Sequence, residues 1–111
     1  MLYTPLTVGN TEYKLRLNTR GIVMLEKQLG CNPISIFGAG DTIPQITTMV
    51  AILHASLQQY HHGISLNDAY NIFDEYLADG NSSTDFIMVI VDIFKASGII
   101  PKDDEGEAGK N

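Results

Sequence analysis

Apolar and polar residues alternate along residues 2–17, on either side of the pair Gly9-Asn10. A short loop of this composition joins two antiparallel strands, so that Val8 would lie opposite Thr11. This register places four largely apolar pairs on one face: Leu2–Leu17, Thr4–Leu15, Leu6–Tyr13 and Val8–Thr11. We therefore predict an N-terminal β-hairpin whose apolar face packs on helices, on further strands or on a partner.

Apolar residues recur at helical spacing through the rest of the chain, and capping signals divide them into segments. The predicted helices cover residues 19–29, 33–37, 43–60, 66–78 and 84–97. Asn18 or Thr19 caps the first helix, and Gly30 is suited to end it. Two later helices begin with the spacing of a capping box: Thr42 with Gln45, and Ser65 with Asp68. In the helix over 66–78, the residues predicted to face inward are Ala69, Ile72, Phe73, Tyr76 and Leu77.

The segment between Thr42 and Asn67 contains no Asp, Glu, Lys or Arg. A helix on a protein surface usually carries charge on its outer face. We therefore expect the helix over 43–60 to lie at the centre of a bundle or to pack against another chain. Its Gln, Ser, Thr and His residues argue against a membrane-spanning role.

The last predicted helix contains the apolar run FIMVIV at residues 86–91. Its β-branched residues leave a strand as an alternative. Serines at 82 and 83 before the run, and Gly98 after it, favour a helix. Such a helix either forms the centre of the core or leaves part of its apolar surface as a docking ridge.

These elements predict a mainly α fold with an N-terminal β-hairpin (α+β), as a small single-domain bundle of four to five helices. A chain of 111 residues supports one core. The globular domain is expected to cover residues 1–101. Residues 102–111 are charged and contain glycine, which is typical of a disordered acidic tail.

Charge is unevenly distributed along this acidic chain, whose formal net charge is −6. Residues 1–40 carry four Lys or Arg and two Glu (4 − 2 = +2), whereas residues 41–111 carry three Lys and eleven acids (3 − 11 = −8). The acidic balance argues against binding to nucleic acid, which needs clustered cations. The weakly basic N-terminal part is suited to an acidic patch on a partner or on another copy.

The histidines and the cysteine could serve as metal ligands or catalytic groups, but each has a structural explanation at its position. His61 and His62 follow a helix end, where imidazole bonds to free carbonyls, and neither they nor His54 have the spacing of a metal motif. Cys31 has no C-x-x-C partner and is interpreted as a small buried apolar residue. We expect no catalytic residue, no metal and no cofactor, and hence no enzyme. The single thiol and the lack of a signal peptide or membrane segment predict a cytoplasmic protein.

The order of several short motifs carries a resemblance. They are residues 9–17 (GNTEYKLRL), the helix from Thr19 to Gly30, Asn32-Pro33-Ile34, residues 52–58 (ILHASLQ), 62–66 (HGISL), 74–77 (DEYL) and 94–98 (FKASG). In this order the chain resembles the small tail assembly chaperones of long-tailed phages and prophages of Gram-positive bacteria. The resemblance covers roughly residues 7–101.

The resemblance implies a protein that coats the tape measure protein, recruits tail tube subunits and leaves before the tail matures. It therefore implies host cytoplasm, self-association into oligomers, and absence from the mature virion. A structural tail or head–tail joining component, or an acidic inhibitor protein, is the alternative. Apolar contacts with the partner are expected from the helices over 43–60 and 84–97. The residues predicted to bind it are Met49, Ile52, Ile87, Val91 and Phe94.

Overall fold

The structure is a computed structural model that describes residues 2–37 and 43–101. Its elements are β1 (Thr4–Val8), β2 (Thr11–Leu15), α1 (Thr19–Leu29), a 3-10 helix (Pro33–Phe37), α2 (Ile46–Leu57), α3 (Leu66–Ala78) and α4 (Ser83–Ser97). An antiparallel hairpin followed by four α-helices within the described residues confirms the predicted fold class. The predicted disordered tail, residues 102–111, lies outside the described residues.

The hairpin has the predicted register from Thr4, which pairs with Leu15, to Val8, which pairs with Thr11. Its strands are shorter than predicted, and the expected pair Leu2–Leu17 is wrong. Leu17 is fully buried, whereas Leu2 is 68% exposed. Beyond Leu15 the backbone turns to other partners, because the N–H of Leu17 donates to Ser97 Oγ at 2.9 Å. The chain therefore leaves the strand pairing and enters the helical core.

Polar contacts fasten the hairpin to the helices at its turn and at its end. Gly9 in the turn has a positive φ of 61°, and its N–H donates to Asp79 Oδ2 at 2.6 Å. The N–H of Arg16 donates to the carbonyl oxygen of Ser56 at 2.9 Å. Because a lone hairpin is marginal in water, these bonds and its buried face, with Leu6, Val8 and Leu15, give it a fixed position.

Helix α2 lies at the centre of the domain and packs against α1, α3, α4 and β2. From Met49 to Leu57 every residue except His54 is buried. Burying an unpaired charge is very unfavourable, so a helix surrounded on several sides excludes charged residues. This confirms the first of the two explanations for the uncharged segment, a central position in the bundle.

Local capping sets most helix ends as predicted. Asn18 caps α1, its Oδ1 accepting the N–H of Gly21 at 2.8 Å, and Gly30 follows in the left-handed conformation. Ser65 and Asp68 form the predicted capping box of α3. A second box, Ser82 with Asp85, starts α4 one residue earlier than predicted, and the strand alternative is excluded.

The predicted bounds of α2 are wrong at both ends. Its first residue is Ile46, because Gln45 is the N-cap residue with an extended backbone and no capping bond from its side chain. Thr42, the other half of the predicted capping box, lies outside the described residues. The helix ends at Leu57, and Gln58 Nε2 then donates to the carbonyls of His54 and Ile64 at 3.0 and 2.8 Å. The Gln58 side chain thus holds the turn that replaces the predicted last helical residues.

Candidate protein-binding surface

The candidate binding surface is built on α4, whose two ends are fixed by local chemistry. Asp85 Oδ2 accepts the N–H of Ser82 at 2.8 Å, and Ser82 Oγ accepts the N–H of Asp85 at 3.1 Å. At the other end Gly98 takes a left-handed conformation, and its N–H reaches the carbonyls of the last turn. Because backbone groups at both ends of α4 have hydrogen-bond partners, the helix has a defined length, with one face toward the core and one toward solvent.

The inner face of α4 belongs to the core. Its fully buried residues are Phe86, Ile90, Ile93 and Phe94. Phe86 joins α4 to α3, since its ring meets those of Phe73 and Tyr76 edge-on at centroid distances of 5.2 and 5.4 Å. Aromatic pairs in this geometry add to the stabilisation from burial alone.

The outer face of α4 carries apolar side chains in contact with solvent. Ile87 and Val91 are half-buried, and Met88 is 62% exposed. The spacings of three and four residues place these side chains side by side on the helix. We call Ile87, Met88 and Val91 the α4 strip. Exposed carboxylates of Asp85 and Asp92 lie on the same helix, so the strip is apolar with an acidic border.

Of the five residues predicted to bind a partner, only Ile87 and Val91 lie on this strip. Met49, Ile52 and Phe94 are 0% exposed, so the structure places them in the core of the folded domain and not on its surface. The two residues of α2 are enclosed by the neighbouring helices. Phe94 lies under Phe37 of the 3-10 helix, whose ring meets it edge-on at 5.8 Å.

Helices α1 and α3 carry further apolar surface that was not predicted from the sequence. Val23 and Met24 are exposed on α1. Leu66, Tyr70 and Leu77 are exposed on α3, so the prediction that Leu77 faces inward is wrong. The three α3 positions, together with the buried Phe73, follow the alternating spacing of four and three residues that is typical of a helix–helix seam. This spacing is the feature of the sequence from which a second apolar surface, on α3, could have been predicted.

His61 connects the hairpin to the segment after α2. Its Nε2 accepts the N–H of Lys14 at 2.9 Å, and its ring meets that of Tyr13 edge-on at 5.3 Å. The prediction that its imidazole bonds to carbonyls at a helix end is wrong, because α2 ends earlier and the ring turns to β2. Desolvation, and secondly the Lys14 ammonium, lower the pKa of His61 below its usual 6.5.

This arrangement predicts a loss of stability in mild acid. The folded pKa of His61 lies below the unfolded value, so its contribution is complete above 6.5 and is lost as the pH falls from there through the folded pKa. The free energy of unfolding, measured with urea, should therefore decrease from about pH 7.5 to about pH 5.5. His61→Gln keeps an acceptor but does not titrate, so its decrease should be smaller. His62→Gln is the matched control, and an equal decrease in all three proteins would contradict the assignment.

The described ranges, 2–37 and 43–101, offer few other candidates for a metal site or a reactive side chain. Within them no group of three or more His, Cys, Asp or Glu side chains converges as metal ligands would. Cys31 is exposed, which corrects its interpretation as a buried residue. It follows the glycine that ends α1 and precedes the 3-10 helix, so it lies in a connecting segment at the surface. None of the helices in these ranges combines the length and the hydropathy that a membrane span requires.

The fold and this surface define a small α+β domain that presents apolar helix faces beside acidic side chains. Residues 3–111 match the family described as "Family of unknown function (DUF6096)", and the chain belongs to that family. No curated protein and no solved structure matches the chain.

Proposed function

We propose that this protein is a phage tail assembly chaperone that binds the tape measure protein and helps to recruit tail tube subunits. Support comes from the ordered motifs of residues 7–101, which resemble those of small tail assembly chaperones. The proposal places the protein in the cytoplasm of the bacterial host during assembly, and outside the mature virion. It assigns the chain a role in binding rather than in catalysis.

The observation that carries the proposal is the α4 strip. A long helical protein that awaits assembly exposes apolar stripes, which would otherwise cause it to aggregate. Ile87, Met88 and Val91 form a complementary apolar ridge on one face of a helix. The border of Asp85 and Asp92 keeps such a ridge soluble and repels other acidic surfaces.

Repeated weak contacts suit this role better than one strong contact. Several copies bound along one partner raise one another's effective concentration, so modest individual affinity gives stable coating. In α3 the charged residues are Asp68, Asp74 and Glu75, whereas α1 carries Arg20, Glu26 and Lys27, a net charge of +1 (2 − 1). These opposite charges support contact between copies, and we propose self-association into oligomers as part of the same function.

The test is co-expression of this chain with a candidate tape measure protein, chosen as the long helical protein whose gene lies nearest to that of this chain. The double substitution of Met88→Asp and Val91→Asp should reduce the affinity for the tape measure protein by at least about tenfold. A tenfold loss corresponds to about 1.4 kcal/mol of binding free energy, and burial of a carboxylate at the interface costs more than that. The matched control is the double substitution of Leu2→Asp and Ile34→Asp, which adds the same charge to exposed apolar positions outside α1, α3 and α4. Co-purified partner and titrated affinity are the measurements, with circular dichroism to verify folding.

The outcomes separate the surface from the function. Equal loss of affinity in both double variants would remove the α4 strip as the binding surface. Failure of the wild-type chain to bind the tape measure protein would remove the chaperone proposal itself. Recovery of the chain in purified, finished particles would instead identify a structural tail or head–tail joining component.

A further inference from the structure

Helix α1 presents an exposed face that combines apolar and basic side chains. Four exposed residues form this α1 face, at positions i, i+3, i+4 and i+7 of the helix: Arg20, Val23, Met24 and Lys27. At about 100° per residue they lie within an arc of about 100°. Glu26, the acidic residue of this helix, lies about 60° outside that arc. The α1 face therefore joins two apolar side chains to two cations.

Helix α3 presents an exposed face of the opposite charge. Four exposed residues form this α3 face: Leu66, Tyr70, Asp74 and Leu77. At about 100° per residue they lie within an arc of about 80°, so they form one row along the helix. The carboxylate of Asp74 is thus set among three apolar side chains. Asp68 and Glu75 lie outside the row and add to the negative potential of the helix.

The two faces belong to separate parts of the surface. Helix α1 packs on α2 and on the 3-10 helix, whereas α3 packs on α2 and β1. A ring contact at 5.2 Å between Phe73 and Phe86 also joins α3 to α4. Because both helices are held by their neighbours, a copy cannot turn its α1 face onto its own α3 face. The α1 face meets an α3 face only on another copy.

We propose that the α1 face of one copy docks on the α3 face of a second copy, with Arg20 and Lys27 of the first beside Asp74 of the second. The apolar side chains of both faces then leave water together, and the unlike charges orient the contact. Contacts between like faces are disfavoured, because they bring cations together on α1 and carboxylates together on α3. This inference rests on the self-association in the proposed function and names its surfaces.

Such a contact is heterologous, because two different patches meet. Each pair of copies keeps one free α1 face and one free α3 face, so further copies add in series. The α4 strip lies on another helix and stays exposed in every copy. A series of copies therefore presents repeated α4 strips to one partner, and in that arrangement weak contacts gain from effective concentration.

The experiment measures self-association of the purified full chain by sedimentation velocity, over a range of concentrations and without any tape measure protein. The wild-type chain at low salt should form species that grow beyond a dimer as its concentration rises. In about 1 M salt, where the Debye length is about 3 Å, association should weaken severalfold, because the charges of both faces are exposed.

Two double variants each remove the apolar part of one face and keep the net charge of the chain. They are Val23→Gln with Met24→Gln on α1, and Tyr70→Gln with Leu77→Gln on α3. Glutamine is a good helix former, so both helices should persist. Each variant alone should associate at least about tenfold more weakly than the wild-type chain. An equimolar mixture should form a dimer and nothing larger, because each variant supplies the intact face that the other lacks.

The matched control is Met88→Gln with Val91→Gln, which changes the α4 strip in the same way and should associate as the wild-type chain does. Circular dichroism verifies the folding of every variant. The concentration and salt dependence of the wild-type chain tests the proposal even if a variant does not fold.

The outcomes separate this contact from the chaperone function. A wild-type chain that stays monomeric at low salt overturns the proposal, as does a mixture of the two variants that forms no dimer. Association of either variant alone at wild-type strength would show contact between like faces and overturns it too. If the wild-type chain is monomeric and the α1 variant loses the tape measure protein, the α1 face binds that partner instead. A chain that assembles in series but binds no tape measure protein keeps this contact and loses the chaperone function.

Discussion

Replacement of Phe94 by alanine is expected to lower the free energy of unfolding by about 3–5 kcal/mol. Phe94 is 0% exposed, and its ring packs against Phe37 at a centroid distance of 5.8 Å. The truncation removes buried apolar area and leaves a cavity that the surrounding helices can only partly fill. A small domain has about 5–15 kcal/mol of stability in all, so much of it depends on this ring.

Urea denaturation followed by circular dichroism measures this effect, and Met88→Ala provides the matched control on the same helix. Met88 is 62% exposed, so its truncation should change stability by no more than about 0.5 kcal/mol. A similarly small effect of Phe94→Ala would contradict its core assignment and return it to the candidate binding surface. Binding experiments need this distinction, because a Phe94 variant that unfolds loses every partner.

Much of the fold was predictable because its determinants are local. The hairpin register depends on the Gly9-Asn10 turn and on the separation of apolar from polar pairs on the two faces. The residues that set both features lie close together in the sequence. The same is true of the capping box at Ser65 and Asp68. Where local signals were ambiguous the prediction failed, as at Gln45, which the predicted capping box places inside the helix but which is the extended N-cap residue of α2.

The binding surface was less predictable because burial depends on which elements meet. Periodicity places Ile87, Val91 and Phe94 near one another on α4, but nothing in the helix indicates that Phe37 covers only the last of them. Apolar residues surround most of α4, so the pattern alone cannot separate its inner face from its outer face. The same limit applies to Met49, whose burial requires the neighbouring helices.

The second large effect is expected at Arg16, where Arg16→Met should lower the free energy of unfolding by about 1.5–3 kcal/mol. Its Nη1 donates to the carbonyl oxygens of Leu2 and Ala96 at 2.8 and 2.9 Å. The carbonyl of Ala96 is in the last turn of α4, where carbonyls lack helical partners and a cation is favourable. One guanidinium thus joins the N-terminal segment and the hairpin to the end of the last helix.

The size of this effect should depend on the geometry of the donor and not on charge alone. Arg16→Lys keeps the charge but loses the planar fork, so its loss should be intermediate. Lys14→Met removes a neighbouring cation that lies 5.2 Å from the Tyr3 ring centroid, and contacts of that kind contribute about 0.5–1 kcal/mol. Urea denaturation of the three variants should therefore rank Arg16→Met as the least stable and Lys14→Met as the most stable. Equal losses at Arg16 and Lys14 would contradict a larger contribution from the two carbonyl bonds of the guanidinium than from the cation near Tyr3.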